Sequence, residues 1–165
     1  IYEWNKMVKI NKFKFLGSFF LIFSFYTFYE ISNSYLWIFV LLVCISTDIG
    51  GYVFGKLFKG PKLIKISPNK TYSGMIGGYL LSLVVLKLFL NMYDGTVNEE
   101  WFIVTILIST VSQIGDIIVS YFKRLSKVKD TGKIIPGHGG LLDRIDGMIF
   151  AFPIFYLIEL TDYLS

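Results

Sequence analysis

Cysteine and histidine occur once each in this chain of 165 residues, and charged residues make up only 17% of it. The single cysteine, Cys44, excludes a disulfide framework, and its place in an apolar run is typical of a small buried residue. Hydrophobic residues account for 54% of the chain, and the mean hydropathy is +0.60. Few soluble domains could bury that much apolar surface, so the composition predicts an all-α, polytopic integral membrane protein.

The sequence also lacks a signal-peptide pattern, an internal repeat and a low-complexity tract. Its length allows a single domain, and we therefore treat residues 1–165 as one membrane-embedded unit. The chain begins at Ile1 rather than at methionine, and we expect it to be the C-terminal portion of a longer protein with further N-terminal spans.

Apolar runs predict about five transmembrane helices. They cover residues 13–31, 35–58, 75–92, 101–122 and 147–160. The third run opens with Gly77 and Gly78, small residues that allow helices to approach closely. Pro153 lies inside the last run, where neighbouring helices can satisfy the carbonyl that it leaves free.

Basic residues alternate with the apolar runs. Segments 1–14, 56–74 and 123–146 hold every lysine and arginine except Lys87. The intervening segments carry acids instead, namely Glu30, Asp94, Glu99, Glu100, Glu159 and Asp162. By the positive-inside rule, the N-terminus and two polar loops face the cytoplasm. This distribution of the net charge of +4 favours anionic lipid over nucleic acid as the partner.

Two aspartates, Asp48 and Asp116, interrupt apolar runs, where a carboxylate is costly and usually functional. Asp48, Tyr52 and Lys56 recur every four residues, so they share one helix face. Asp116 and Ser120 do the same with Arg124 or its neighbour Lys123. The alternative is a pair of helix-end acids that only reach interfacial water.

Asp143 and Asp146 lie three residues apart before the last apolar run. Paired carboxylates repel unless a cation lies between them, and their oxygens suit Mg²⁺, which usually takes one or two protein carboxylates. Ordinary acidic residues at a helix N-terminus are an equal alternative.

Two loops carry further candidate binding residues. In the first, Ser67 and Thr71 offer hydroxyls and Lys70 offers a charge, although a plain loop before a helix explains them equally well. In the second, glycines surround the only histidine, His138, and their N–H groups suit a phosphate. Basic residues beside a membrane are most often only topogenic.

The longest motif is similar to the signature of the phosphatidate cytidylyltransferase (CDP-diacylglycerol synthase) family. It comprises Ser120, Lys123, Arg124, Lys129, Asp130, Gly132, Pro136, His138, Gly139, Gly140, Asp143, Arg144 and Asp146, all at the family's spacing. The resemblance extends back to about Asp48, whereas the first apolar run is generic. The chain departs from the family pattern at Lys56, Asn69, Ser73, Val119 and Gly147. Ser73 and Val119 replace glutamates, which leaves the number of metal ions open.

The resemblance implies an enzyme of the bacterial inner membrane that transfers CMP from CTP to phosphatidate, releasing pyrophosphate and forming CDP-diacylglycerol. It implies catalytic roles for Asp116, Lys123, Arg124, Asp143 and Asp146, and Mg²⁺ binding by Asp116, Asp143, Asp146 and, more weakly, Asp48. It implies substrate binding by Ser67, Lys70, Thr71, Ser120, Lys129, Asp130, Gly137, His138, Gly139, Gly140 and Arg144. A second cation, a homodimer, a CTP-dependent isoprenoid-lipid transferase or kinase, an inactive lipid-binding relative and an ion transporter remain open.

Overall fold

The computed structural model describes residues 1–64, 67, 69–93, 97–135, 139–161 and 163. Within these ranges the chain forms helices and no β-strand, which confirms the all-α prediction. The helices are α1 (Tyr2–Met7), α2 (Asn11–Ile31), α3 (Leu36–Phe58), α4 (Tyr72–Met92), α5 (Glu99–Leu125), α6 (Leu142–Ile145) and α7 (Met148–Glu159).

Among the described residues, three helices are long and apolar enough to cross a membrane. They are α3 with 23 residues, α4 with 21 and α5 with 27, and at about 1.5 Å per residue each reaches about 30 Å or more. Helix α2 is also 21 residues long and carries Lys12, Lys14 and Glu30, but it is not one of these three. Helix α7 has 12 residues and reaches only about 18 Å. The class of polytopic membrane protein is therefore confirmed, while the count of five spans stays a prediction.

Glycines bring α3 and α4 into backbone contact. A Cβ added to Gly50 would lie 2.3 Å from the carbonyl oxygen of Gly77, and one added to Gly74 would lie 2.6 Å from that of Gly51. A Cβ on Gly78 would lie 3.0 Å from the carbonyl oxygen of Thr47. The predicted close approach at the start of α4 is thus confirmed, and it sets the α3–α4 loop beside the Asp48 end of α3.

Two buried apolar clusters hold the bundle together. The first joins α3, α4, α5 and α7 around Phe39, Ile108 and Phe155. The second joins α1, α2, α5, α6 and α7, and it includes Trp4, Val119 and Leu142. Because the second cluster contains residues from both sides of the segment 126–141, that segment must leave α5 and return to the same end of the bundle.

Polar caps define where α4 and α5 begin. The Thr71 side chain accepts a hydrogen bond from the Gly74 N–H at 3.1 Å, and Asn98 accepts one from the Trp101 N–H at 3.0 Å. Helix α5 carries acids in its first turn and Lys123 and Arg124 in its last turn, which matches the helix dipole at both ends.

Candidate active site

A cavity of about 360 Å³ opens between α3, α5, α6 and the α3–α4 loop. Its polar lining includes four aspartates and two lysines. The lining residues are Thr47, Asp48, Gly51, Tyr52, Leu63, Ser67, Asn69, Lys70, Thr71, Gly74, Met75, Gln113, Asp116, Lys123, Asp143 and Asp146. All four carboxylates predicted from the sequence as metal ligands therefore meet in one place, although they come from three helices and the residue that follows α6.

Asp116 joins α5 to the α3–α4 loop. Its Oδ2 lies 2.5 Å from Lys70 Nζ, and its Oδ1 accepts a hydrogen bond from Ser120 Oγ at 3.3 Å. Lys70 Nζ also donates to the carbonyl oxygen of Gln113 at 3.4 Å. The predicted partnership of Asp116 with Ser120 is present, and Lys70 supplies a positive charge from a distant part of the chain.

Asp143 is held by a full set of donors. Lys123 Nζ lies 2.8 Å from Oδ1, and both side chains are nearly buried, with exposed fractions of 12% and 10%. Oδ2 accepts hydrogen bonds from the Thr131 N–H at 2.8 Å, the Thr131 hydroxyl at 3.0 Å and the Gly140 N–H at 2.9 Å. Burial alone would raise the pKa of Asp143, but Lys123 and the two N–H groups outweigh it and lower the pKa below 3.8. Asp143 is therefore an ionised carboxylate.

Asp146 is in the opposite electrostatic state. It is 8% exposed, and its Oδ1 accepts a hydrogen bond from the Gly147 N–H at 3.0 Å. Burial, together with the nearby charge of Asp116, raises the pKa of Asp146 to about 8. Without a cation, burial and the nearby carboxylate thus favour the protonated form of Asp146.

The four aspartates of the cavity are the candidate ligands for a divalent cation. Within the described part of the chain, no group of three or more acidic, histidine or cysteine side chains stands close enough to hold a metal ion. Asp116 and Asp48 nevertheless act on Asp146 through their charges. Mg²⁺ commonly takes only one or two carboxylates, with water and phosphate oxygens as its other ligands. Binding of Mg²⁺ by these aspartates therefore stays a prediction.

Helical periodicity explains why Lys123, and not Arg124, lines the cavity. Seven residues after Asp116 bring a side chain back to within about 20° of the same face, whereas eight residues leave it about 80° away. Arg124 is exposed, and its Nη1 donates to the carbonyl oxygen of Val128 at 3.4 Å. Lys56 likewise lies outside the cavity, with Nζ 3.5 Å from the Tyr52 hydroxyl.

Other predicted substrate residues surround the cavity without lining it. Lys129, Asp130 and Arg144 are exposed, and Ser120 is buried behind Asp116. Gly139 has a φ of +85°, a conformation that favours glycine, and its carbonyl oxygen accepts a hydrogen bond from the Ile135 N–H at 3.0 Å. The predicted roles of Gly137 and His138 lie outside the described residues.

Two departures from the family pattern have distinct surroundings. Val119 is 1% exposed and packs in the second apolar cluster, so the α5 surface facing the cavity does not include it. Ser73 Oγ accepts a hydrogen bond from the Gly60 N–H at 3.3 Å and lies 3.0 Å from Thr71 Oγ1. Both positions have a structural role here, and neither lines the cavity.

Sequence reasoning missed Thr131, Gln113 and Glu3. Thr131 lies in the signature segment at a variable position, so the pattern itself carried no signal for it. Gln113 lines the cavity, and its Nε2 is buried without a hydrogen-bond partner. Glu3 is 6% exposed and contacts the signature segment from the far end of the sequence.

Taken together, the fold and the site define an all-α polytopic membrane protein with an acidic cavity that two lysines partly neutralise. The chain belongs to the cytidylyltransferase family, whose family model matches residues 2–161. That match corrects the expectation that the resemblance begins near Asp48, because it includes α1 and α2 as well.

Relatives in three staphylococci carry the name phosphatidate cytidylyltransferase. The protein of Staphylococcus haemolyticus (strain JCSC1435) is 44% identical over 124 residues, which are 73% of this chain and 47% of the relative. The Staphylococcus aureus (strain COL) protein is 39% identical over 160 residues, which are 90% of this chain and 61% of the relative. The Staphylococcus saprophyticus protein is 43% identical over 124 residues, which are 73% of this chain and 47% of the relative. The chain thus spans about half to three-fifths of the length of the curated relatives it matches.

Proposed function

We propose that the protein containing this chain transfers CMP from CTP to phosphatidate, forming CDP-diacylglycerol and releasing pyrophosphate. The names of its relatives supply the substrate classes. The observation that carries the proposal is the convergence of four aspartates and two lysines on one cavity at the end of a membrane-embedded bundle.

The charge of the cavity supports a metal-dependent reaction on phosphates. Four carboxylates against two ammonium groups leave an excess of two negative charges when all are ionised. A triphosphate would be repelled from such a site unless divalent cations accompanied it. Mg²⁺ held by Asp116 and Asp146, with Asp48 nearby, would offset that excess negative charge and stabilise the charge on departing pyrophosphate.

The lysines have the positions needed to orient anions. Lys70 and Lys123 line the cavity from different elements, one from the α3–α4 loop and the other from the last turn of α5. Asp143 holds Lys123 in place, while its own second oxygen is bound by Thr131 and Gly140. We therefore assign Asp143 to positioning Lys123 and the loop, and its role as a metal ligand stays a prediction.

The chemistry needs no activated serine or cysteine. A phosphate oxygen of phosphatidate attacks the α-phosphorus of CTP, and the bond from that phosphorus to the oxygen bridging to the β-phosphate breaks. The bonding electrons leave with pyrophosphate. Because both reactants are anions, the barrier is lowered by positioning and by fixed positive charge rather than by proton transfer.

The location of the cavity suits one lipid and one soluble substrate. It lies toward the end of the bundle where α3 ends, α4 begins and α5 ends, and the last turns of α3 and α5 carry basic residues. We propose that this end faces the cytoplasm, where the positive-inside rule places lysine and arginine. CTP would then enter from solvent, while phosphatidate stays in the adjoining leaflet.

The test uses the full-length protein in detergent micelles with labelled CTP, Mg²⁺ and phosphatidate. Asp116→Asn should lower CDP-diacylglycerol formation by at least about 100-fold, because it removes the carboxylate that is proposed to hold Mg²⁺ and that pairs with Lys70. Glu99→Gln is the matched control, since Glu99 is an exposed acid at the opposite end of the same helix.

Two outcomes would contradict the proposal. Normal product formation by Asp116→Asn would remove that residue from the site. A wild-type protein that neither binds CTP nor forms CDP-diacylglycerol would refute the function. An isoprenoid lipid offered in place of phosphatidate separates the related CTP-dependent enzymes, because the labelled product would then be an isoprenoid.

A further inference from the structure

Glu3 places a buried carboxylate under the signature segment. Its Oε2 accepts a hydrogen bond from the Leu142 N–H at 2.8 Å, and its Oε1 accepts one from the Leu141 N–H at 3.0 Å. The Thr131 hydroxyl lies 3.3 Å from Oε2. These partners are 128 to 139 residues away in sequence. Glu3 thus binds both ends of the loop that carries the glycines.

Helix α1 is anchored so that Glu3 reaches this position. The Trp4 indole N–H donates to the carbonyl oxygen of Phe13 at 3.1 Å, and its ring packs edge-on against Phe122 with centroids 5.0 Å apart. Gly17 makes room for the indole, since a Cβ there would lie 2.1 Å from it. These three contacts fix Trp4, and they therefore limit how far the adjacent Glu3 can move from the loop.

The loop is shaped around the carboxylate. A Cβ added to Gly132 would lie 2.5 Å from Glu3 Oε1, and one added to Gly140 would lie 2.7 Å from the same atom. Two residues without side chains therefore allow the backbone to close on Glu3. Larger residues at either position would push the loop away.

A short chain of contacts links Glu3 to the cavity. The Thr131 hydroxyl that contacts Glu3 also lies 3.0 Å from Asp143 Oδ2, and Asp143 Oδ1 binds Lys123. Gly140, which packs on Glu3, donates its N–H to Asp143 Oδ2, the oxygen that Thr131 also contacts. The position of Lys123 in the cavity therefore depends on a loop that Glu3 holds.

We propose that Glu3 is a positioning residue for the transfer reaction, acting through Thr131 and Asp143 on Lys123; this rests on the proposed function. Glu3 does not line the cavity and does not touch the reacting groups. Its loss would leave the N–H groups of Leu141 and Leu142 without their acceptor, and the loop would lose the geometry that directs Asp143 and Gly140 toward each other.

The experiment compares Glu3→Gln, Glu3→Ala and Thr131→Val in the full-length protein, with Glu99→Gln as the control. Two readouts are used: kcat and KM for CDP-diacylglycerol formation, and amide hydrogen exchange of the peptides containing Leu141 and Leu142. We expect Glu3→Ala to lower kcat by about 10- to 100-fold, as for loss of a hydrogen bond to a charged group, and to speed exchange at both amides. The KM for phosphatidate should change little. Glu3→Gln keeps one carbonyl acceptor, so its kcat and its exchange rates should lie between those of the wild type and those of Glu3→Ala.

The double variant Glu3→Gln/Thr131→Val separates positioning from general loss of structure. Because both residues act through Asp143, the combined loss in kcat should be smaller than the product of the single losses. The proposal would be overturned if the kcat losses of the two single variants multiplied in the double variant, or if Glu3→Ala left amide exchange at Leu141 and Leu142 unchanged. A kcat of Glu3→Ala equal to that of Glu99→Gln would overturn it as well. A wild type without cytidylyltransferase activity would refute the proposed function instead, and the exchange comparison would then decide whether Glu3 holds the loop.

Discussion

The salt bridge between Lys123 and Asp143 allows stability and activity to be tested separately. Lys123→Met removes the ammonium group that lies 2.8 Å from Asp143 Oδ1, in a pair whose side chains are only 12% and 10% exposed. Asp143 would keep its hydrogen bonds from Thr131 and Gly140 but would have lost its counter-ion. Breaking a buried pair on one side usually destabilises a protein by about 3 to 5 kcal/mol, because a charge is left uncompensated.

Because the Lys123 and Asp143 side chains keep a slight exposure to solvent, we expect a loss of stability at the lower end of this range, about 3 kcal/mol. For a protein of this size, that corresponds to an apparent melting temperature lower by roughly 6 to 12 °C. The double variant Lys123→Met/Asp143→Asn removes both charges, so we expect it to recover more than half of the lost stability. Its rate of CDP-diacylglycerol formation should stay as low as that of the single variant, since the cavity still lacks the lysine.

Thermal unfolding of the detergent-solubilised full-length protein, followed by tryptophan fluorescence at one fixed heating rate, measures the first effect. Product formation from labelled CTP measures the second. A single variant as stable as the wild type would refute the view that Asp143 depends on Lys123. A double variant no more stable than the single one would show that the loss comes from packing and not from charge.

Two further predictions concern the helix crossing and Asp146. Gly50→Ala should destabilise the protein by about 1 to 3 kcal/mol, because the added Cβ would lie 2.3 Å from the carbonyl oxygen of Gly77. The neighbouring Gly51→Ala should be neutral or stabilising, since the nearest atom to its added Cβ would be 3.8 Å away. Equal melting temperatures for the two variants would contradict the close packing of α3 on α4. The raised pKa of Asp146 means that metal-free stability should fall as the pH rises from about 4 through 8, because deprotonation leaves a second charge beside Asp116. Mg²⁺ should oppose that fall, and its affinity, measured by titrating the melting temperature, should increase with pH up to about 8 in the wild type but not in Asp146→Asn.

Local pattern was sufficient to predict the apolar helices and the charged residues that line the cavity. The runs that became α3, α4 and α5 are visible because length and hydropathy alone decide whether a helix can span a bilayer. Asp48 and Asp116 were recognisable because a carboxylate in an apolar context is costly. Asp143 and Asp146 were recognisable because paired carboxylates three residues apart suit a divalent cation. The spacing of Lys123 from Asp116 could also have separated it from Arg124, since seven residues nearly complete two helical turns.

Contacts between distant parts of the chain could not be predicted in the same way. The partnership of Lys70 with Asp116 requires the α3–α4 loop to fold over α5, which follows from the glycine contacts between α3 and α4. Val119, expected to matter through the acid it replaces, proved to lie in an apolar cluster with Trp4 and Leu142. Neither outcome follows from spacing along one helix.

The sequence by itself determined that this is a helical membrane protein whose cationic and acidic residues flank a glycine loop, because composition, hydropathy and a long motif are local properties of the chain. Tertiary structure decided how those residues are used. It joined Lys123 to Asp143 and Lys70 to Asp116, and it left Asp146 buried with a raised pKa. It also placed Glu3, an acid near the start of the chain that the sequence did not single out, against the loop that follows α5. Packing of Trp4 and the close approach of Gly132 and Gly140 to Glu3 hold it there, and these contacts join residues more than a hundred positions apart.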